Sequence, residues 1–435
     1  MNTTDSSSRR DFLKTSSAAV VGGTLASELA FPYIAKAAPN SSKLKLGFIG
    51  CGGRGTGAAA QALNADSNVE LWAMGDVFEN QLQRSLTTLQ TENKNTPDKV
   101  NVARERQFVG LDAYEKVLKS GVDIVILTTP PGFRPLHFKA AVEMGKHIFL
   151  EKPMATDAPG VRSVMASVVE AKKKQLAVVA GFCWRYDYAR REFYKRIHAG
   201  AIGDLCHIQS TYLTSPVKPM PAKETRPAGM SDVEWQVRNW YNFVWTCGDG
   251  LVEQAVHSVD KISWAMKDVP PLRCTAVGGR QVPNHEGNIY DHIQVSYEYA
   301  NGVRATMAQR QTVGCFNQNA DFLIGTKGHA QIHRRGPEIV TPEAWRYTGA
   351  ANNMYQTEHD EMYQSIRAGK PLNDGDRMCT STLLAIMGRM AAYTGQEVTW
   401  EMALNSKESL VPEKLDWSQP LPIAPMAIPG RTKFI

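Results

Sequence analysis

Cysteine pairs and long apolar runs are both missing from the 435-residue sequence. The seven cysteines include no Cys-x-x-Cys pair, and their number is odd. This pattern argues against a disulfide framework and against a zinc site, so we expect no bound metal. Beyond the N-terminal segment, no apolar run approaches the ~20 residues that a membrane-spanning helix needs. We therefore expect no membrane span.

Charge of one sign is also scarce. The formal net charge is +6, of which the first 37 residues carry +2 and the remainder about +4. The basic run 172–174 is short and typical of a solvated helix face. So weak a positive balance argues against nucleic-acid binding. The composition, 43% hydrophobic and 21% charged, is that of a globular protein with length enough for two domains.

The N-terminal segment has the features of an export signal. Residues Ser8–Lys14 match the twin-arginine pattern, with Arg9 and Arg10 at its centre. A mildly apolar stretch follows, and residues 35–37 supply small side chains for a signal peptidase. We expect residues 1–37 to be a signal peptide and the mature protein to be periplasmic or otherwise exported in folded form. The alternative is an N-terminal tail with a chance arginine pair.

A glycine-rich turn follows the first apolar strand, residues 45–49. The turn reads Gly-Cys-Gly-Gly-Arg-Gly, and an alanine-rich helix begins after it. In a GxGxxG turn the first glycine permits the bend, the second lets the backbone approach a pyrophosphate, and the third allows close packing of helix and strand. Phosphates favour the helix N-terminus, where free N–H groups point outward. The predicted cofactor-binding residues are Gly50, Gly52, Gly53, Arg54 and Gly55; the alternative is a glycine-rich turn without a ligand.

An acidic residue closes the second predicted strand. Asp76 follows residues 69–74 and lies about twenty residues beyond the last glycine of the turn, where an acid receives the adenosine ribose hydroxyls. Because a carboxylate repels a 2′-phosphate, we expect NAD as the cofactor. NADP stays open as an alternative, since Arg84 and its neighbours could change that choice.

Strands and helices then alternate as in a doubly wound sheet. Residues 122–127 form a nearly unbroken apolar strand, typical of a buried parallel strand, and end in Thr128-Thr129-Pro130. A helix is predicted at 137–144, a strand at 147–150 and a last strand at 177–180. Ligands bind such sheets at the carboxyl ends of the strands.

Short motifs at these strand ends resemble a known family. Thr129-Pro130, His137, Gly145-Lys146-His147 and Glu151-Lys152-Pro153 have the order and spacing found in the glucose–fructose oxidoreductase / inositol dehydrogenase / MocA family. The resemblance continues through residues 200–203, 325–328 and 393–398, and so covers about 45–400. It implies further cofactor contacts from Thr128, Thr129, Pro130, His137, Glu151, Lys152 and Arg185. For Glu151 a role in positioning the loop is equally open, and Arg185 could meet substrate or a cofactor phosphate.

The resemblance also implies a fold and partners. It implies an α/β protein with an N-terminal Rossmann dinucleotide-binding domain, residues 45–181. An α+β domain with a large open, mostly antiparallel sheet would follow in residues 182–435. The partner would be a small-molecule sugar or polyol, and the C-terminal sheet would join subunits into a homo-oligomer, a dimer or tetramer. Period-two alternation over 292–309, with a hairpin turn at Asn301-Gly302, favours antiparallel strands there.

Three residues are candidates for catalysis. Lys152 ends a strand at the expected sheet edge, and in the family this lysine lies in the active site, where it would exchange a proton with a substrate hydroxyl. Glu253 and His257 are four residues apart, which places them on one face of a helix with Asp260. The family has Asp-x-x-x-His here, so this chain keeps the acid with a longer arm. We expect Glu253 to raise the basicity of His257. The alternative for Lys152 is a surface lysine that closes a strand, and the alternative for His257 is a core histidine whose hydrogen bonds are satisfied.

These features predict hydride transfer between a sugar or cyclitol hydroxyl and NAD, with a cofactor that stays bound because export removes it from the cytoplasmic pool. A rival is a glycoside hydrolase that works by transient oxidation and elimination, as some exported relatives do. A third reading is a non-catalytic sugar-binding protein. The loop 215–230 is the candidate for setting substrate choice. The nearby aromatics Trp235, Trp240, Tyr241 and Trp245 either stack on a sugar or form core.

Overall fold

The computed structural model describes residues 42–435, so the predicted signal peptide lies outside the described residues. Six parallel strands form the first sheet, in the order β3-β2-β1-β4-β5-β6. They are β1 Leu44–Ile49, β2 Val69–Asp76, β3 Gln107–Val109, β4 Ile124–Leu127, β5 His147–Leu150 and β6 Val178–Ala180. The helices between them are α1 Gly53–Ala65, α2 Glu79–Glu92, α3 Ala113–Lys119, α4 Arg134–Glu143 and α5 Ala158–Lys173. This is the doubly wound α/β arrangement expected from the sequence.

Apolar side chains cover both faces of this sheet. On one face Leu46 and Phe48 of β1 pack with α1 and α2, and on the other Ile49 and Val125 pack with α3, α4 and α5. Burial on both faces explains why the strands read as unbroken apolar runs. A later helix, Met354–Arg367, also contributes Met362 to the first face, so the C-terminal part of the chain returns to this layer.

Nine strands form the second sheet, in the order β14-β13-β12-β11-β7-β10-β9-β8-β15. They are β7 Leu205–Thr214, β8 Arg273–Gly279, β9 His292–Glu298, β10 Arg304–Gln311, β11 Gln318–Gly325, β12 Gly328–His333, β13 Gly336–Val340, β14 Trp345–Arg346 and β15 Val398–Thr399. All described pairings are antiparallel except that between β7 and β10. The predicted open, mostly antiparallel sheet is confirmed.

The helices of the later part of the chain are α6 Tyr188–His198, α7 Asp232–Arg238, α8 Val244–Cys247, α9 Gly250–Glu253, α10 Val256–Ala265, α11 Met354–Arg367, α12 Gly375–Thr394 and α13 Trp400–Asn405. Of these, α10 and α12 lie against the buried side chains of β9 and β10, on one face of the second sheet. Along β9, Val295 and Tyr297 are buried while Gln294 and Ser296 are exposed, which is the predicted alternation. The opposite face exposes Val277 and Ile324.

The expected single helix through Glu253, His257 and Asp260 is wrong. The chain forms two helices, α9 ending at Glu253 and α10 starting at Val256. The N–H of Ala255 bonds to the carbonyl of Gly250, five residues back, at 3.0 Å. This wide turn interrupts the regular i to i−4 hydrogen-bond ladder between the two helices, so Glu253 and His257 do not belong to one continuous helix.

No helix within residues 42–435 is long and apolar enough to cross a membrane. Within the same residues, no group of three or more His, Cys, Asp or Glu side chains is arranged to hold a metal ion.

Candidate active site

The glycines of the turn after β1 meet different surroundings. Gly50 has φ +96°, and a Cβ there would lie 2.7 Å from the backbone of Thr128, so only glycine fits. A Cβ on Gly55 would lie 2.1 Å from the carbonyl oxygen of Gly50. Gly52 and Gly53, by contrast, have no protein atom within 4 Å of an added Cβ. The turn is therefore packed tightly below and open above, which leaves the first N–H groups of α1 accessible to an anion.

Asp76 lies directly against this turn. Its Oδ2 accepts a hydrogen bond from the Cys51 N–H at 2.6 Å, and its Oδ1 accepts from the Phe78 N–H at 2.8 Å. Burial raises the pKa of this carboxyl, and the backbone hydrogen bonds oppose that shift. Arg84 is exposed and does not line the adjoining cavity. The carboxylate lines the cavity, and so do the cationic side chains of Lys218 and Arg238 on the opposite wall.

A cavity of about 630 Å³ opens above the glycine turn. One wall comes from the first sheet and contains most of the predicted cofactor residues: Gly50, Gly52, Gly53, Arg54, Gly55, Asp76, Thr128, Thr129, Pro130 and His137. The other wall comes from the segment 218–241 and includes Lys218, Met230, Trp235, Trp240 and Tyr241. The predicted loop 215–230 therefore does reach this cavity. Glu151, Lys152, Arg185, Glu253 and His257 are outside its lining.

His137 is held as a neutral ring in this wall. Its Nδ1 lies 3.2 Å from Thr129 Oγ1, and its ring stacks on Tyr114 with centroids 4.2 Å apart. Burial and the nearby Arg134 lower the pKa of His137 to about 3. The buried guanidinium of Arg134 donates to the carbonyls of Thr129 and Pro153, and so joins the loops after β4 and β5.

Arg54 contacts two carboxylates. Its Nε lies 2.5 Å from Glu151 Oε1, and its Nη2 lies 3.1 Å from Glu358 Oε1 on α11. Glu151 also accepts from the Lys152 N–H at 3.2 Å. These contacts favour the loop-positioning role for Glu151. Burial raises the pKa of the Glu358 carboxyl well above its ordinary value, and the negative charge of Glu151 adds to that shift. Sequence reasoning missed Glu358, because nothing local links residues 54 and 358.

Lys152 is paired with Glu253. Its Nζ donates to Glu253 Oε1 at 2.9 Å and to the Glu253 carbonyl at 2.5 Å, and both side chains are largely buried. The other carboxylate oxygen, Oε2, is buried and has no hydrogen-bond partner among the described residues. The expectation that Glu253 orients His257 is therefore not met, since Lys152 takes the carboxylate.

Aromatic rings surround His257. Trp184 stacks on its imidazole at 5.3 Å with a 31° tilt, and Phe182 approaches edge-on at 6.3 Å. Burial lowers the pKa of His257 well below its ordinary value, and the cations of Lys152, Lys261 and Arg54 act in the same direction. This reverses the expected rise in basicity and leaves a neutral imidazole at neutral pH.

Arg185 takes no part in the cavity. Its guanidinium is buried and bonds to Asp260 at 2.8–3.0 Å and to Asp268 at 2.5–3.1 Å. The expected contact of Arg185 with substrate or a cofactor phosphate is therefore corrected. Its guanidinium N–H groups donate to the carboxylates of Asp260 and Asp268, so Asp260 is a structural partner of Arg185. A buried arginine needs such partners, because an unpaired charge there would be costly.

The aromatics before α9 divide into two groups. Trp235 and Trp245 are buried in a small core with Phe243, and the Trp245 Nε1 donates to Gln236 Oε1 at 2.8 Å. Trp240 and Tyr241 stack on each other at 3.8 Å and line the cavity. Trp235 also reaches the cavity wall, so Trp245 is the one of the four that lies outside the lining.

Comparisons with known proteins agree with this architecture. Residues 44–182 match the model of an oxidoreductase family with an NAD-binding Rossmann fold, and residues 191–331 match the GFO/IDH/MocA C-terminal domain. The chain belongs to this family. Residues 44–182 therefore form an NAD-binding Rossmann domain, and the resemblance drawn from the sequence motifs is confirmed.

Individual relatives of this member of the GFO/IDH/MocA family are distant. It is 26% identical over 223 residues to a glycosyl hydrolase family 109 protein of Shewanella baltica, covering 47% of this chain and 46% of that one. It is 27% identical over 164 residues to inositol 2-dehydrogenase 4 of Saccharopolyspora erythraea, covering 38% and 44%. The chain thus spans about half the length of the curated relatives it matches.

Among solved structures, aldose-aldose oxidoreductase from Caulobacter crescentus is similar with a TM-score of 0.64 and 18% identity, over 82% of this chain and 99% of that one. The WlbA dehydrogenase from Bordetella pertussis, solved with NADH and UDP-GlcNAcA, has a TM-score of 0.62 and 18% identity, over 82% and 98%. At this identity the similarity establishes the fold alone.

Proposed function

We propose that this protein is an NAD-dependent oxidoreductase that transfers hydride between a sugar or cyclitol hydroxyl, or the corresponding ketone, and a tightly held cofactor. One observation carries the proposal. The open glycine turn and Asp76 lie at the same sheet edge as a buried Lys152–Glu253 pair whose Oε2 lacks a partner. A buried unpaired carboxylate oxygen is costly unless something donates to it, and a substrate hydroxyl can do so.

The side chains supply binding and proton handling. Gly50, Gly52 and Gly55 would hold the cofactor pyrophosphate and Asp76 its ribose, and when bound the nicotinamide supplies the hydride-accepting carbon. The neutral imidazole of His257 accepts the proton of the substrate hydroxyl. The Lys152 ammonium donates to the same oxygen and stabilises the charge that develops there. Glu253 fixes the position of Lys152 through the ion pair at 2.9 Å.

The experiment begins with the purified native protein. Mass spectrometry after denaturation should release NAD or NADH, and sugars and cyclitols offered to the loaded protein should change the nicotinamide absorbance. Loss of the cofactor signal in the native protein would remove the basis of the proposal. Lys152→Met, which keeps the length of the side chain, should retain the cofactor and lose the absorbance change.

A second function is favoured by one observation: the relatives named glycosyl hydrolase family 109 proteins. With the same residues, transient oxidation of a hydroxyl to a ketone would make a neighbouring C–H acidic, so that loss of its proton expels the aglycone. Water would then add across the double bond so formed, and return of the hydride to the ketone carbon would complete the hydrolysis. The two functions differ in their redox balance. A hydrolase releases the aglycone without net change in the cofactor and incorporates solvent deuterium next to the oxidised carbon, whereas a dehydrogenase changes the cofactor and leaves the glycosidic bond intact.

Export through the twin-arginine route belongs to the same proposal. It is supported by the Arg9-Arg10 motif, by the apolar stretch that follows, and by the advantage of loading the cofactor before transport. Arg9→Lys together with Arg10→Lys should retain the protein in the cytoplasm, as measured by cell fractionation. Unchanged localisation would rule the route out.

A homo-oligomer through the second sheet is proposed as well. Val277 and Ile324 are 70% and 51% exposed on its uncovered face, and a second copy would bury them. Sedimentation of the purified protein should give a dimer or tetramer, and Val277→Glu should shift it towards the monomer. A monomeric native protein would contradict this.

A further inference from the structure

A buried lysine lies one helical turn beyond His257. Lys261 on α10 is 2% exposed and forms an ion pair with Asp321 on β11, which is 1% exposed. Asp321 also accepts from the Ser210 hydroxyl at 2.8 Å, and Lys261 donates to Asn319 Oδ1 at 3.3 Å. Apolar residues in place of such a pair are often neutral or stabilising, so packing alone does not require charges here.

Trp184 connects this ion pair to the candidate catalytic histidine. Lys261 Nζ lies 4.0 Å from the centroid of the indole, and the His257 imidazole stacks on the same indole at 5.3 Å. An ammonium near an aromatic face is attracted to it, which restrains the ring. The contacts therefore run without a gap from Asp321 through Lys261 and Trp184 to His257.

The charged groups around His257 differ from those around Lys261. His257 is faced by cations: Arg54 from α1, Lys152 from the loop after β5, and Lys261 from its own helix. The Glu253 carboxylate at the end of α9 is bound to Lys152.

Lys261 itself is faced by Asp321 from β11, Asp260 from its own helix and Arg190 from α6. Burial lowers the pKa of Lys261 to about 8, while Asp321 opposes the shift. The positive charge beside Trp184 is therefore present at neutral pH and is lost in mildly alkaline solution.

We infer that Lys261, acting through Trp184, is a positioning residue that holds the His257 ring in place to accept a proton. This rests on the proposed function and deepens it. Glu253 was expected to orient His257, but it pairs with Lys152. The contact between Lys261 and the Trp184 indole orients the histidine instead. Because Lys261 touches neither the cavity nor the Lys152–Glu253 pair, its effect should appear in the titration of His257 rather than in ligand binding.

The test is an NMR titration of His257 in the cofactor-loaded protein. Lys261→Met combined with Asp321→Asn removes the pair without leaving a buried charge unpaired. The midpoint of the His257 titration should rise by roughly 0.5–1 pH unit, since a nearby cation is lost. The acid limb of the kcat profile should move the same way with KM little changed, and Lys261→Arg should restore both.

A remote ion pair provides the control. Arg367→Met with Asp66→Asn removes another largely buried pair, between α11 and the end of α1, and should leave the His257 titration unchanged. An unshifted titration in the Lys261 double variant would overturn the inference, because the pair would then be purely structural. A shifted titration in a protein that oxidises none of the sugars or cyclitols offered would support it while contradicting the proposed function.

A second variant covers the case in which the double variant does not fold. Trp184→Leu removes the indole and leaves both charged groups in place. It should lower kcat about tenfold with little change in KM and displace the His257 titration, whereas Trp184→Phe should recover most of the loss. Wild-type kcat and titration in Trp184→Leu would overturn the inference.

Discussion

At the residue scale, the pairing of Lys152 with Glu253 changes how the acid/base groups are understood. The ion pair at 2.9 Å satisfies the lysine, while His257 is surrounded by aromatic rings and cations and stays neutral. A neutral imidazole can accept a proton directly. In the proposed mechanism the two groups have different roles: His257 takes the proton of the substrate hydroxyl, and Lys152 stabilises the charge that develops on its oxygen.

This division predicts strong losses for either residue. Lys152→Ala and His257→Ala should each reduce kcat by about 10²–10⁴-fold while the cofactor stays bound. Because they serve one proton transfer, the double variant should lose far less than the product of the two effects. Steady-state kinetics on the substrate found in the screen measures this. Near wild-type turnover in His257→Ala would make the histidine structural.

The carboxylate at the glycine turn should decide the cofactor. Asp76→Ala removes the charge that repels a 2′-phosphate and the group that receives the ribose hydroxyls. We expect NAD affinity to fall about tenfold or more and the preference over NADP to shrink by a similar factor, as measured by calorimetric titration of the apoprotein. Exposed Arg84→Ala is the control and should change neither constant. Equal affinities before and after Asp76→Ala would contradict the assignment.

Buried neutral histidines should make the fold sensitive to acid. Burial lowers the pKa of His137, His257 and His359 below the ordinary value of about 6.5. Between that value and the lowered one, the unfolded chain binds more protons than the folded one. Stability is therefore full above about pH 6.5 and falls as the pH drops.

His359 provides a clean test, because it stacks on Phe149 at 4.2 Å and neither ring nitrogen has a partner among the described residues. His359→Phe should reduce the fall in the urea midpoint between about pH 7.5 and pH 5, since phenylalanine keeps the stacking and binds no proton. The comparison at pH 7.5 controls for packing. An equal acid-induced fall in both proteins would count against this reading.

At the element scale, the start of α1 separates folding from binding. The two glycines Gly52 and Gly55 flank its first residues, yet an added Cβ meets no protein atom at Gly52 and meets the Gly50 carbonyl oxygen at 2.1 Å at Gly55. One position is kept open for a ligand and the other for the strand beneath. Gly55 thus allows the helix to pack against β1, whereas Gly52 leaves space above the helix N-terminus for a ligand.

Two matched substitutions test this. Gly55→Ala should cost about 1–3 kcal/mol or more of unfolding free energy, because the helix must move off β1. Gly52→Ala should leave the thermal midpoint close to that of the wild type and weaken NAD binding at least tenfold, since the new methyl group occupies the approach to the pyrophosphate. Thermal melts and cofactor titrations of both variants decide it; the reverse order of effects would contradict the geometry.

At the scale of the whole molecule, distant parts of the chain close the dinucleotide cavity. The segment 218–241 forms its outer wall, and the C-terminal tail supports that segment: the Gln236 amide donates to the Leu421 carbonyl at 2.7 Å, and Asp232 accepts from the Leu421 N–H at 3.1 Å. Trp417 of the tail lies 6.0 Å from Phe78, which lines the cavity beside Asp76. Because the C-terminal tail restrains the segment 218–241, we expect the cavity to open slowly and the cofactor to be released slowly.

Trp417→Ala should therefore loosen the cofactor without touching it. We expect the rate of NAD release to rise about tenfold, equivalent to about 1.4 kcal/mol, with thermal stability only modestly lower. Rapid dilution of the loaded protein into a competing dinucleotide measures the rate. Ile428→Ala, at a tail position 49% exposed, is the control. Equal release rates in all three proteins would show that the tail does not retain the cofactor.

The sequence by itself determined the features that depend on neighbouring residues. Apolar strands, the glycine turn, Asp76 at the end of β2 and the motif around Lys152 could all be recognised, because strand burial, φ > 0 and helix N-termini impose local residue requirements. The alternation along β9 and β10 predicted antiparallel strands for the same reason. These patterns were enough to name the fold class and ten of the residues that line the cavity.

Only the tertiary structure decided which charges meet. The Lys152–Glu253, Arg185–Asp260 and Lys261–Asp321 pairs join residues 101, 75 and 60 positions apart along the chain. Helical spacing suggested Glu253 for His257, but a wide turn at Ala255 and a nearby lysine overrode it. Spacing along a helix favours a contact by only a few tenths of a kcal/mol. A buried charge that lacks a partner costs several, so the folded core, rather than the local sequence, selects the pairs.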